Sequence, residues 1–320
     1  MDLIPEHSLL EQYECTLKGH NLHRAEIELG ETEERRWQAI GDLREMVMNA
    51  GDIKCPTDAA FLLRFLRAKK FDVIRAYTCL RRFYEVRHQH PDIFSDFHPH
   101  NMRHVFDEHL VTVLQKRDSK GRSVILIKPG QWHPDVVPLQ VFMRSILISL
   151  EWLLRDEVFQ VNGLVLFVDF ANVGMKQARQ LSRERIKLLM FLVQEAFPVR
   201  LKAIHIMNAP ALLQYFLKII SLFLKDKVKE RITVHGFRLY GLFNDLGEDV
   251  IPEQYGGRLI MEPEWWRNQL VNHEADLYFK QHMNDGLTNI ESHDETPIIT
   301  IDSTKMNESI DLLQDDNVSL

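Results

Sequence analysis

The chain has 320 residues, 45% of them hydrophobic and 27% charged, with a formal net charge of −7. That length supports a core needing no staples and about two domains, and the composition excludes a fibrous, wholly disordered or integral membrane chain. Cys15, Cys55 and Cys79 are odd in number and widely spaced, which predicts reduced thiols in a cytosolic protein and no metal framework.

Residues 1–31 are weakly patterned, with early acids and no apolar run of secretory-signal length, and read as a mobile N-terminus. Over 32–48 the sequence places Trp37, Ile40, Leu43, Met46 and Val47 at helical spacing behind Thr32. The position three places on is Arg35, where a full capping box has Glu or Gln. Pro56 and Thr57 open a second helix, with Phe61, Leu62, Phe65 and Leu66 on one face and Arg64, Arg67 and Lys69 on the other. Asp72 caps a third helix, which ends before Pro91. Residues 32–97 therefore read as a small helical domain.

The segment HQHPDIFSDFHPHNMRH and its neighbour gather His88, His90, His98, His100, His104 and His109. Metal ligands need convergent geometry and a second shell, and this stretch reads as a domain connection, so no metal site is predicted.

The pattern then changes. Short β-rich runs at 110–114, 123–127, 163–170, 203–207 and 232–234 are separated by helix-length segments, among them 139–154, 182–196 and 211–224. The central runs are nearly continuous in apolar residues, as parallel strands covered on both faces must be. Strand and helix in alternation predict right-handed βαβ units and an α/β domain over 98–262. On the 163–170 strand Leu164, Leu166, Val168 and Phe170 share one face, and Val165 and Phe167 the other.

No strand is followed by a dinucleotide or P-loop glycine pattern, and no nucleophile elbow is present. Asp169, at a strand end with no identifiable partner, reads as a turn cap rather than a general base. No catalytic residue, enzyme activity or cofactor is predicted, and the local positive charges lack the basic domain that nucleic-acid binding needs.

The stretch 197–236 sets two demands side by side. In ALLQYFLKIISLFL, residues 211–224, only Gln214, Lys218 and Ser221 are polar, and a basic turn, KDKVKERI, follows. As a helix this segment is about 21 Å long, too short to span a bilayer. One reading is a core helix with a solvated basic end; the other is a lid that covers an apolar cavity and touches an anionic membrane. Residues 263–281 read as a C-terminal helix. Residues 282–320 hold nine acids against Lys305, a net of −8 that leaves +1 for the rest, and read as an acidic disordered tail.

FLLRFLRAKKFD, NGLVLFVDF, EAFPVRLKAIHIMNAP, FLKDKVKERITVHG and IPEQYGG, in that order over about residues 32–260, resemble the CRAL-TRIO (Sec14-like) family. They are most similar to its branch of tocopherol-transfer, cellular retinaldehyde-binding and clavesin proteins. The resemblance implies a helical domain packed on an α/β domain whose mostly parallel sheet floors a closed hydrophobic pocket. It implies a bound lipid in place of a cofactor, and transfer of a tocopherol-like, retinoid-like or other isoprenoid lipid between membranes. The apolar helix falls where the family has its mobile gate, with Leu212, Leu213, Phe216, Leu217, Ile220 and Phe223 as its greasy positions. The family's phosphoinositide cleft maps onto Lys69, Arg200, Lys202, Lys227 and Arg231, all basic here. Such cations near an anionic surface are each worth about 1 kcal/mol before desolvation and ordering costs.

By position, the pocket or the core behind it takes Met143, Ile146, Leu147 and Leu150; Leu164, Leu166, Val168 and Phe170; Leu189, Leu192, Val193 and Phe197; and Ile204 and Ile206. The 139–154 helix offers few hydroxyls besides Ser145 and Ser149, which favours a cargo that is mostly hydrocarbon. Two features depart from the branch: Phe237 and Arg238 follow His235 and Gly236 in place of an asparagine pair, and the acidic tail is long. Open alternatives are phospholipid exchange or phosphoinositide sensing of Sec14 type, and a trafficking adaptor that uses the tail and carries no cargo. The expected location is cytoplasmic, with reversible peripheral attachment to membranes such as endosomes.

Overall fold

The structure is a computed structural model that describes residues 13–210, 220, 223–236, 239–262, 264–282 and 285–288. Its first helix, α1 (Gly19–Arg24), runs on through a π turn, Ala25–Leu29, that Gly30 closes in the left-handed conformation. Leu17, Ala25 and Leu29 are buried. Asn162 Nδ2 donates to Asn21 Oδ1 at 2.9 Å, and Arg24 Nη1 donates to Asn162 Oδ1 at 2.7 Å. The expectation of a mobile segment up to residue 31 is thus corrected from residue 13 onward. Polar side chains do much of the holding, so no strong apolar period announces it.

Thr32 caps α2 (Glu33–Ala50) by accepting from Arg35 N. A two-residue strand, β1 (Ile53–Lys54), follows. The next helix, α3 (Ala59–Ala68), starts later than Pro56 and Thr57, because Asp58 is its cap and accepts from Phe61 N at 3.0 Å. An Asp oxygen caps better than a Thr, and Pro56 cannot donate. Asp72 caps α4 (Val73–Gln89) as expected.

The α/β part contains β2 (Val111–Val113), β3 (Ser123–Ile127), α5 (Leu139–Leu153), α6 (Glu157–Asn162), β4 (Leu164–Asp169), α7 (Arg183–Phe191) with a π extension Leu192–Ala196, β5 (Leu201–Met207), β6 (Ile232–Val234) and α8 (Tyr240–Leu246). The sheet order is β2-β3-β4-β5-β6; β2 pairs antiparallel with β3 and the other pairs are parallel. One face packs on the helical part through Leu164, Leu166 and Val168, while Val165 and Phe167 join Val124, Leu126, Leu242, Leu246 and Ile251 on the other.

Gly163, at φ +85°, lies where β4 meets the start of β5, and a Cβ there would sit 2.2 Å from Arg200 O. Only glycine permits the backbone contact in which Leu164 N donates to Arg200 O at 2.9 Å. One step further Leu164 pairs with Leu201 but Val165 with Ala203, so Lys202 is the extra residue of a β-bulge. Bulges re-aim side chains, and this one turns the entry of β5 into a platform for cations.

The predicted single helix over 263–281 is two, α9 (Trp265–Leu270) and α10 (His273–His282). Asn272 makes the break by accepting from Ala275 N at 2.8 Å. The start of the predicted disordered tail is also paired: β7 (Gly286–Leu287) lies antiparallel to β1, and Thr288 N donates to Asp52 O at 2.9 Å. Residues 289–320 of that tail lie outside the described residues.

Candidate functional site

The chamber side of the sheet is built from α5, β4, β5 and α7. Val165 and Phe167 are 0% exposed on the sealed face, yet Leu166, Val168 and Ile204 on the opposite face are only half-buried. Side chains in the middle of a parallel sheet with neighbours on both sides are ordinarily closed off from solvent. Their residual accessibility marks space above that face.

Towards the Phe170 end of that face lies a cavity of about 150 Å³, bordered by Met143 and Ile146 from α5, Phe170 after β4 and Leu189 from α7 but not by Leu166, Val168 or Ile204. Trp132 and Phe142, stacked with ring centroids 5.1 Å apart, complete much of the wall. Of the other positions named from sequence, Leu147, Leu150, Leu164, Leu192, Phe197 and Ile206 are buried. Val193 is half-buried against the main core.

The polar groups of this region are spent on the protein itself. Gln177, on the cavity wall, donates to Trp132 O at 2.9 Å and accepts from Gly174 N at 3.0 Å. Ser145 Oγ donates to Phe142 O at 2.7 Å, and Ser149 Oγ donates to Ser145 O while accepting from Trp266 Nε1. Gln177 is thus already engaged on a wall that is otherwise hydrocarbon, and Ser145 and Ser149 lie outside that wall with their hydroxyls bonded within the protein.

Of the predicted gate positions, Leu212, Leu213, Phe216 and Leu217 lie outside the described residues. Ile220 is half-buried, and Phe223 packs against Ile186. Gln194 pins this end of the segment by donating to Phe223 O at 3.1 Å and accepting from Lys225 N at 2.8 Å.

Three of the five predicted cleft cations meet at the entry of β5. Arg200 Nη2 donates to Glu28 Oε2 at 2.7 Å, Lys202 Nζ donates to the same oxygen at 2.8 Å, and Arg24 Nε stands 3.7 Å from Glu28 Oε1. Arg231 anchors its guanidinium on Leu201 O, and Arg200 spends its other terminal nitrogen on Val161 O. Burial opposes ionisation of Glu28, but the hydrogen bonds from Lys202 and Arg200 outweigh it and bring the carboxyl down to about 2. Burial first, then the other cations nearby, push Arg200 and Lys202 below their ordinary values against the pull of Glu28.

Lys69 and Lys227 do not share this carboxylate. Lys69 is half-buried close to the Cys79 thiol, and Lys227 is exposed on the turn Asp226–Lys229. Sequence reasoning missed Glu28 and Arg24 by treating their segment as mobile. A signal existed in Ala25 and Leu29, four apart and followed by Gly30, the pattern of a helix stop.

Elsewhere, Asp169 does cap its turn: it accepts from Ala171 N, Asn208 Nδ2 and Tyr255 OH at 2.8–3.0 Å. A buried chain beneath α8 was not foreseen. His205 Nε2 lies 2.9 Å from Asp245 Oδ2, which also accepts from Arg122 Nη2, and His205 Nδ1 lies 2.9 Å from His235 Nε2. With Asp245 ionised, His205 donates from Nε2 and accepts from His235. Among the described residues no group of three or more His, Cys, Asp or Glu is arranged to hold a metal ion, and no helix is long and apolar enough to cross a membrane.

Residues 107–257 match the CRAL/TRIO domain. Alpha-tocopherol transfer protein-like from Mus musculus is 34% identical over 267 residues, covering 83% of this chain and 78% of that protein. The chain belongs to the CRAL-TRIO family. Clavesin-2 from Rattus norvegicus is 33% identical over 264 residues, 81% of each CRAL-TRIO chain. Among solved structures, the crystal structure of Sfh5 aligns with a TM-score of 0.49 at 14% identity, over 78% of this chain and 98% of that one. CRAL-TRIO proteins bind and transfer lipophilic ligands rather than hold cofactors.

Proposed function

We propose that this protein encloses one hydrophobic lipid and carries it between membranes without altering it covalently. The observation that carries the reading is the difference between the two faces of β4: Val165 and Phe167 are sealed, while Leu166 and Val168 keep accessible surface and Phe170 on their face borders the cavity. A cavity of about 150 Å³ takes one ring or a chain end. Drug-sized ligands need roughly 300–1,000 Å³, so the rest of the cargo lies over Leu166, Val168 and Ile204. A phospholipid phosphate would need buried partners, and Gln177, the polar side chain on the cavity wall, is already engaged, which favours an isoprenoid such as a tocopherol or retinoid.

The protein works from the cytoplasm and docks transiently on anionic, phosphoinositide-bearing membranes such as endosomes. Arg200, Lys202 and Arg231 are the docking cations, with Lys69 and Lys227 in support. At about 1 kcal/mol for each group near an anionic surface, three to five cations give reversible attachment. The apolar 211–224 segment acts as the gate, with its far end tethered through Gln194.

Mass spectrometry of organic extracts from the purified protein tests the reading. An isoprenoid at near one per chain is the expected result. A phospholipid would turn the protein into an exchanger of Sec14 type, and no lipid at all would leave an adaptor.

A further inference from the structure

The cations at the entry of β5 already hold an anion. One carboxylate receives Arg200 and Lys202 on one oxygen and has Arg24 near the other, an arrangement of charged donors around two oxygens that phosphate oxygens also accept. We propose that Glu28 is the resident anion of the head-group site, that a phosphorylated inositol lipid binds by displacing it, and that Arg24 then becomes a head-group ligand. The proposal rests on the phosphoinositide-docking reading given above.

Three features of the site support exchange. The guanidiniums of Arg200 and Arg231 are tied to the carbonyls of Val161 and Leu201, so they stay in place when the carboxylate leaves. Such pre-organised donors bind an incoming anion with little ordering cost. Next, the charges do not balance. Arg24, Arg200 and Lys202 share the one carboxylate of Glu28, while Arg231 beside them has Glu230 as its neighbouring acid, and burial with mutual repulsion lowers the proton affinity of Arg200 and Lys202. A head group with two or more phosphates neutralises that excess; one carboxylate does not.

Finally, Glu28 is free to leave. Its side chain is 37% exposed, whereas its neighbours Ala25 and Leu29 are anchored in the core at 0% and 2%. A rotamer change of Glu28 into solvent vacates the site while the helical turn remains docked, so displacement needs no unfolding.

The test uses full-length protein and phosphatidylcholine vesicles that contain either a bisphosphorylated phosphatidylinositol or phosphatidylserine at matched charge. E28Q keeps the shape of the side chain and removes its anion. It should bind the phosphoinositide vesicles roughly threefold to tenfold more tightly than the parent. E26Q, the same charge change at an exposed acid two residues away, should show no such gain, and R24A placed on E28Q should abolish it. E28A, which removes the carboxylate altogether, should show the same gain with an unchanged unfolding midpoint.

If the parent binds phosphoinositide vesicles and K202E/R231E does not, but E28Q and E28A match or fall below the parent, displacement is wrong and the docking reading survives. If parent and E28Q both fail to bind above the phosphatidylcholine control, both are wrong. Equal gains for E28Q on phosphatidylserine and phosphoinositide vesicles would reduce Glu28 to a general surface charge and also overturn the proposal.

Discussion

Along β4, Val165 and Phe167 are closed off completely, while Leu166 and Val168, one residue away on the same strand, keep accessible surface. The cations repeat this division between a sealed and an open side. At the seam between helical and α/β parts, Arg67 is fully buried, with Glu31 taking its Nε and Nη2 at 2.9 and 2.7 Å and Gln160 and Glu157 taking Nη1. Beside it Glu151 receives Arg64 at 2.9 Å, Arg87 at 3.1 Å and the Tyr278 hydroxyl. At the entry of β5, by contrast, Arg24, Arg200 and Lys202 crowd about the one carboxylate of Glu28. The same residue types serve as mortar where several buried acids and a hydroxyl face the arginines and as a docking surface where one half-exposed acid faces three cations.

The largest effect should come from breaking the sealed side. R67A leaves the carboxylates of Glu31 and Glu157 without their common partner inside the protein. Removing one member of a buried ionic network costs about 3–5 kcal/mol, to be read as a lower midpoint in chemical denaturation. Loss of less than about 1 kcal/mol would mean that water reaches this seam.

A pair of variants on β4 sharpens the contrast between faces. F167A should cost about 3–5 kcal/mol, the usual penalty for emptying a well-packed aromatic site. L166W should cost much less, because the added rings enter existing space, while the protein loses its extractable lipid. Equal destabilisation by the two, with cargo retained in L166W, would close the chamber.

The smallest effect is a pH dependence in the sealed layer beneath α8. Burial lowers the pKa of His205, with Arg122 and Lys120 adding to it against the pull of Asp245, and burial with the His205 neighbour lowers that of His235. Histidines depressed in the folded state contribute stability that is present above their ordinary value of 6.5 and lost as pH falls through the lower folded values. Melting temperature should therefore fall between pH 7.5 and pH 5, and H235Q should flatten the curve. A parent curve flat over that range would remove the histidine pair from the account.

Much of this was legible in the chain. The alternation of strands and helices located all five strands of the main sheet, and the continuous apolar runs of β4 and β5 marked the parallel strands at its centre. Asp72 and Thr32 announced their helices through local chemistry that needs no tertiary partner. Three of the five basic positions marked from the family resemblance do meet at one place. Less legible were Arg64 and Arg67, which look like the solvent side of an amphipathic helix and are 6% and 0% exposed. A buried arginine and a surface arginine have the same local sequence signature, and only distant acids such as Glu31, Glu151 and Glu157 tell them apart.

What the sequence determined by itself is local: which segments become strand or helix, where their caps lie, and that one strand must be greasy on both faces. Tertiary structure alone decided which of those faces is sealed, which arginines are fully paired, and that Glu28 stands among the cations of β5. The reason is one of range. Propensity and periodicity act over a few residues, whereas an ion pair between positions 28 and 200, or a space above Leu166, depends on elements that meet only once the chain has folded.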